Sequence, residues 1–158
     1  MFDRLLPRHA DNTYHGHKLA LWLFAILVLM KSAISLNSIF NGYSVATSAD
    51  GIPLDTYTPA GAQAVVSAFA AWGLAQFTIC LLCILVLARY RAMIPFMFVL
   101  LLLEHLCRRL IFWVMPIVRT GTPPGFYVNL LLTALMVVGV ALSLRSRDSR
   151  QAKDSIPV

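Results

Sequence analysis

The chain has 158 residues, of which 59% are hydrophobic and only 13% charged. Soluble domains run near a quarter charged, and a globule this small has no interior for such long apolar runs, so the composition excludes an ordinary soluble fold and fits a bilayer. The formal net charge of +6 does not point to nucleic acid: Lys and Arg gather in short segments beside the apolar runs, with no basic face of interleaved aromatics.

Residues 1–18 form a basic leader with Arg4, Arg8 and Lys18. His9, Asp11, His15 and His17 lie here too, but their spacing matches no zinc pattern, so the leader reads as a solvated segment touching lipid headgroups. The first span covers residues 19–40. Its apolar stretch from Leu19 to Met30 ends about 15 residues before Ser44-Val45-Ala46, too far for signal-peptide cleavage, so the segment is expected to stay as a helix. Lys31, Ser35 and Ser38 form a polar stripe on it, and Asn37 and Asn41 a second pair further along.

The connection over residues 41–63 is too long for a tight hairpin, and Asp50-Gly51, Pro53 and Pro59 are turn formers. It reads as a partly ordered external loop in preference to a lid. The second span, residues 64–88, presents Ala64, Ala68, Ala71 and Ala75, with Ser67 and Gly73 close by. Small residues of this kind let helices approach closely in lipid. Cys80 and Cys83 have dithiol spacing but sit among leucines, where cysteine is an ordinary small filler.

The third span, residues 93–118, carries Glu104, His105, Arg108 and Arg109 at its middle. A charge at bilayer depth costs at least about 2.5 kcal/mol, so these groups need partners or a wet cavity. Glu104 with Arg108 and His105 with Arg109 are four apart and stack on one helix side. After the turn-forming Thr120-Gly121-Thr122-Pro123-Pro124-Gly125, the fourth span covers residues 126–144 and carries Asn129; residues 145–158 are a polar tail.

Basic residues flank the N-terminal leader, the Arg89 and Arg91 link and the tail, while the other two links together hold only Arg119. The positive-inside rule then predicts both termini in the cytoplasm. The expected fold class is an all-α membrane protein: a four-helix transmembrane bundle, N-in/C-in, multi-pass in a bacterial inner membrane. At 1.5 Å per residue, Lys31, Gln76, Glu104 and His105 all fall about 16–18 Å from the cytoplasmic side. Arg108 and Arg109 sit one turn further out, and Asn129 lies near the depth of Asn37. The sequence predicts that these eight residues form a ligand-binding site or a structural network.

Lys31, Arg108 and Arg109 face a single Glu104, which leaves about two positive charges uncompensated. That excess calls for an anion, a lipid headgroup, a partner's carboxylate or water. No phosphate-cradling loop, metalloprotease helix or nucleophile elbow is present, so no catalytic residue, metal or cofactor is expected. Bis-histidine haem is disfavoured because His105 is the only histidine within the four spans. The reading favoured by sequence is a non-catalytic accessory or assembly subunit with a buried Lys/Glu/His/Arg network. The alternative is a homo-oligomeric carrier or binding protein for a small anionic or polar solute, proton-linked through Glu104 and His105. A quinone- or lipid-modifying enzyme is a weaker third. Expected partners are the bilayer, a membrane protein or second copy, and an anionic small molecule, but no nucleic acid.

Overall fold

The computed structural model describes Asn12, Tyr14 and residues 16–145. The described residues are 83% helical and contain no strand. Four long helices follow in chain order: α1 (Lys18–Phe40), α2 (Pro59–Arg89), α3 (Ile94–Val114) and α4 (Pro124–Leu144). Three of them, α1, α2 and α4, are long and apolar enough to cross a membrane, with mean hydropathies of 2.2, 2.2 and 2.1, which makes this a membrane protein in its general character. Helix α3 stands apart from those three because Glu104, Arg108 and Arg109 interrupt it.

Local chemistry fixes where the helices begin and stop. His17 caps α1, its Nδ1 accepting from the Leu19 amide at 3.2 Å. Helix α2 starts five residues earlier than its apolar run suggests, because Thr58 and Pro59 make a strong start: the Thr58 hydroxyl accepts from the Gly61 amide at 3.2 Å, and Pro59 occupies the first turn. Helix α3 stops at Val114, short of the expected residue 118. Pro116 is the reason, since the residue before a proline is pushed out of the helical region, and Met115 sits at φ −120°, ψ 76°.

The buried face of α1 runs Ala20, Phe24, Leu27, Val28, Lys31, Ser35, Ser38, a single stripe at helical spacing. Its first half meets an apolar core with Met97, Phe98 and Leu101 of α3 and Leu132 and Met136 of α4. There Phe24 and Phe98 pack edge to face with ring centroids 5.0 Å apart, and the Phe98 ring lies against Gly139, which has no side chain to obstruct it. The second half of the stripe is polar and packs on α2. A Cβ on Gly73 would meet the Ser35 carbonyl oxygen and Ser38 Cβ, each at 2.9 Å, so α1 and α2 cross at a distance only glycine permits. The face of α2 that turns inward is Gly73, Gln76, Cys80, Cys83 and Val86; Ala64, Ala68, Ala71 and Ala75 are exposed.

The connection between α1 and α2 is built, not loose. It holds short helical turns at Gly42–Ser44, Val45–Ala49 and Leu54–Thr56, the middle one π-helical. Ala46, Ile52 and Leu54 are buried against Val65, Val66, Phe69 and Ile117. Gly51 takes φ +70°, a conformation that suits glycine, and its carbonyl accepts from both the Thr120 amide at 2.8 Å and the Thr120 hydroxyl at 3.1 Å. These bonds tie the loop to the α3–α4 link.

Candidate functional site

Glu104 is the hub of the polar centre. Lys31, only 3% exposed, donates from Nζ to Glu104 Oε2 at 3.4 Å, and Arg108 Nε lies 3.7 Å from Oε1, one turn along the same helix. Gln76, with its amide nitrogen turned to the carboxylate, donates at 3.2 and 3.1 Å. Three helices therefore converge on one carboxylate. A buried pair with its remaining lone pairs satisfied is the arrangement in which an ion pair tolerates low dielectric.

Arg108 faces several ways at once. Its Nη2 donates to His105 Nδ1 at 2.9 Å, and its guanidinium stacks on the Trp72 ring, 4.6 Å from the centroid. Trp72 lies one turn from Gln76 on α2, so the residue that meets Glu104 and the residue that meets Arg108 share a face. His105 is fully buried, and its Nε2 has no hydrogen-bond partner among the described residues.

Beside this centre lies a cavity of ≈ 670 Å³, lined at one end by residues of the loop and of the α3–α4 link. Four cations line it: Lys31, Arg108, Arg109 and Arg119. Arg109 lies over the Phe126 ring at 6.0 Å and Arg119 over Phe112 at 5.6 Å, so both are oriented by aromatics and not by carboxylates. The one acid in the lining is Asp50, in the loop. Burial holds its carboxyl above the usual carboxylate range, against the opposing pull of Arg119 and Arg108. Counting Glu104 behind the wall, four cations meet two acids, an excess of two positive charges.

Of the eight residues singled out by sequence, Lys31, Gln76, Arg108, Arg109, Asn37 and Asn129 line the cavity. Glu104 and His105 do not; they stand behind Arg108 and hold it. Asn37 also accepts from the Asn41 amide at 2.9 Å. The Ser35 and Ser38 hydroxyls donate to the carbonyls of Lys31 and Ile34 in their own helix, at 2.7 and 3.0 Å, so they smooth the α2 contact and offer little to a ligand. Sequence reasoning missed Trp72, Asp50, Arg119 and Phe126. Only Trp72 carried a signal, its one-turn spacing from Gln76.

Cys80 and Cys83 are buried free thiols in the α2 interface, and Cys107 is exposed on α3. Among the described residues no group of three or more His, Cys, Asp or Glu could hold a metal ion. His9, Asp11 and His15 of the leader, and residues 146–158 of the tail, lie outside the described residues. Compared with protein-family models, curated proteins and solved structures, the chain matches none of them.

Proposed function

We propose that this chain is a four-helix transmembrane bundle of a bacterial inner membrane, with both termini cytoplasmic, which binds a small anionic ligand in its polar cavity. The observation that carries the ligand reading is the lining itself, four cations against Asp50. With Glu104 already engaged by Lys31, Gln76 and Arg108, the excess charge has no partner among the described residues. An anion taking two-pronged hydrogen bonds from a guanidinium would relieve it. Transport, as distinct from binding, would need a homo-oligomer, because four helices are few to enclose a path.

Four crossings are supported by the two Thr120 bonds to Gly51, which hold the links on either side of the α2–α3 pair at one end of the molecule. If α2 crosses, α3 must return. Helix α3 has 21 residues, about 31 Å, a match to the hydrocarbon thickness, and the Glu104 pairs lower the cost of its charges. Arg89 and Arg91 lie at the opposite end, which the positive-inside rule assigns to the cytoplasm.

The accessory-subunit reading rests on a different observation, the mutual satisfaction of Lys31, Gln76 and Glu104, which is what a register-fixing network needs. The two readings separate on gentle detergent extraction followed by native mass spectrometry. The expected result is a bound anionic small molecule, lost in Arg109→Gln, whose side chain is exposed and outside the Glu104 pairs. A different protein at fixed stoichiometry, retained equally by the variant, would sink the binding reading.

A further inference from the structure

The cavity has a charged floor, a roof of loop residues with a single acid, and an apolar side. The floor is Lys31 and Arg108 with the Gln76 amide beside them; the roof is the loop, through Val45, Ala49 and Asp50. The side is where α2 and α3 face each other. Beyond the Arg91–Met93 turn these two helices touch little, and at mid-length they are bridged by Arg108 on Trp72 and by Gln76 on Glu104. Outward of that bridge the edges are Ala68 and Phe69 on α2, and Ile111, Phe112 and Trp113 on α3. Ala68, Ile111, Phe112 and Trp113 line the cavity and are also exposed on the outer surface, Trp113 at 79%. They are therefore a rim, and the gap between them is a lateral opening.

Chemistry of the rim decides what can pass it. A hydrated anion would lose its water against Phe, Ile and Trp with only Arg119, over the Phe112 ring, to compensate, whereas a hydrocarbon chain gains by lying there. Past the rim the charged groups are Arg108, Arg109, Lys31 and Asp50, and Arg119 lies over the Phe112 ring at the rim itself. Trp is also the residue that settles at the membrane–water boundary, with an apolar body and a polar edge.

We infer that the ligand is an anionic amphiphile drawn from the bilayer, its phosphate or carboxylate head on Lys31, Arg108 and Arg109 and its hydrocarbon tail leaving between α2 and α3 past Phe112 and Trp113. This rests on the anion-binding reading above and adds the ligand's class and route. When ionised, Asp50 in the roof repels a second negative charge, which favours a compact head over a highly charged one.

The test uses fluorescence of Trp72 and Trp113 in a Trp22→Phe background, since Trp22 is exposed on α1 and lies away from the cavity. The protein is placed in phosphatidylcholine nanodiscs containing tail-brominated phosphatidic acid or, at the same mole fraction, tail-brominated phosphatidylcholine. Brominated phosphatidic acid is expected to quench at a mole fraction about tenfold lower, the effect of one or two charge-assisted hydrogen bonds. Arg109→Gln should bring the two lipids together, and inorganic phosphate should not relieve the quenching. Arg108→Gln should do the same if it folds, but the exposed Arg109 carries the test. Equal quenching by both lipids, in protein that still holds an anionic molecule after extraction, overturns the lateral route. Relief by inorganic phosphate overturns it too and assigns the site to an aqueous anion. If no anion is retained and neither lipid nor phosphate alters the fluorescence, the anion-binding reading itself falls.

Discussion

Glu104 is the residue on which most else depends, because it answers three donors from three helices. Replacing it with Gln keeps the shape but leaves Lys31, 3% exposed, with a buried charge and no carboxylate. Breaking a fully buried pair from one side costs about 3–5 kcal/mol; with the Glu104 side chain 24% exposed the loss is smaller, and Glu104→Gln should unfold at lower temperature in detergent. Lys31→Met combined with Glu104→Gln should recover much of the loss, since both ends of the pair are then gone. A Glu104→Gln protein as stable as the parent would mean that Lys31 is already neutral or hydrated. Residue counting along helices of fixed rise brings Lys31, Gln76 and Glu104 to one depth, so their shared level was legible in the sequence, while their meeting depends on which faces the helices turn to one another. Asp50 and Arg119 were not legible as cavity residues. Helical periodicity says nothing about how a loop folds back, and their positions depend on Gly51 bonding to Thr120 across 69 residues of chain.

At the scale of elements, small residues on α2 illustrate what periodicity leaves open. Alanines and Gly73 both offer close approach, and the sequence does not say which face α1 takes. It takes Gly73, through a clearance set by the Ser35 carbonyl and Ser38. Gly73→Ala should therefore cost about 1–3 kcal/mol as overpacking, while Ala71→Leu on the exposed face should leave the melting temperature near that of the parent. Equal effects would show that the α1–α2 crossing has room to spare. The loop makes its own prediction through Asp50, whose carboxyl is held above the ordinary 3.8 by burial. The folded loop thus favours the protonated acid. That stabilisation is complete below the unfolded value and is lost as pH rises through the window above 3.8. Asp50→Asn should match the parent in thermal stability at the acid end and exceed it increasingly toward neutral pH. If the parent instead weakens relative to the variant on acidification, attraction to Arg119 outweighs the burial.

For the whole molecule, the apolar runs were legible as helices because a run of about 20 residues has few other uses, while Pro116 and Thr58 moved their ends. Helix α3 is the one whose crossing matters most, since its charges keep it from looking like a span. The proposed topology is open to direct labelling in a cysteine-free background, with Cys80, Cys83 and Cys107 replaced and single cysteines introduced at Asp55, Arg91 or Thr122, all exposed positions. In right-side-out membranes an impermeant maleimide should reach positions 55 and 122 at once, and position 91 only after lysis. If position 122 instead behaves like 91, α3 does not cross, and the bond between Thr120 and Gly51 cannot exist in the membrane. The cavity would then lose its roof and one wall, and the binding reading would go with it. If 91 labels alone and 55 and 122 are both protected, the helices pack as described but sit the other way up. The roofed end of the cavity would then face the cytoplasm, and its anion would have to be sought in the inner leaflet.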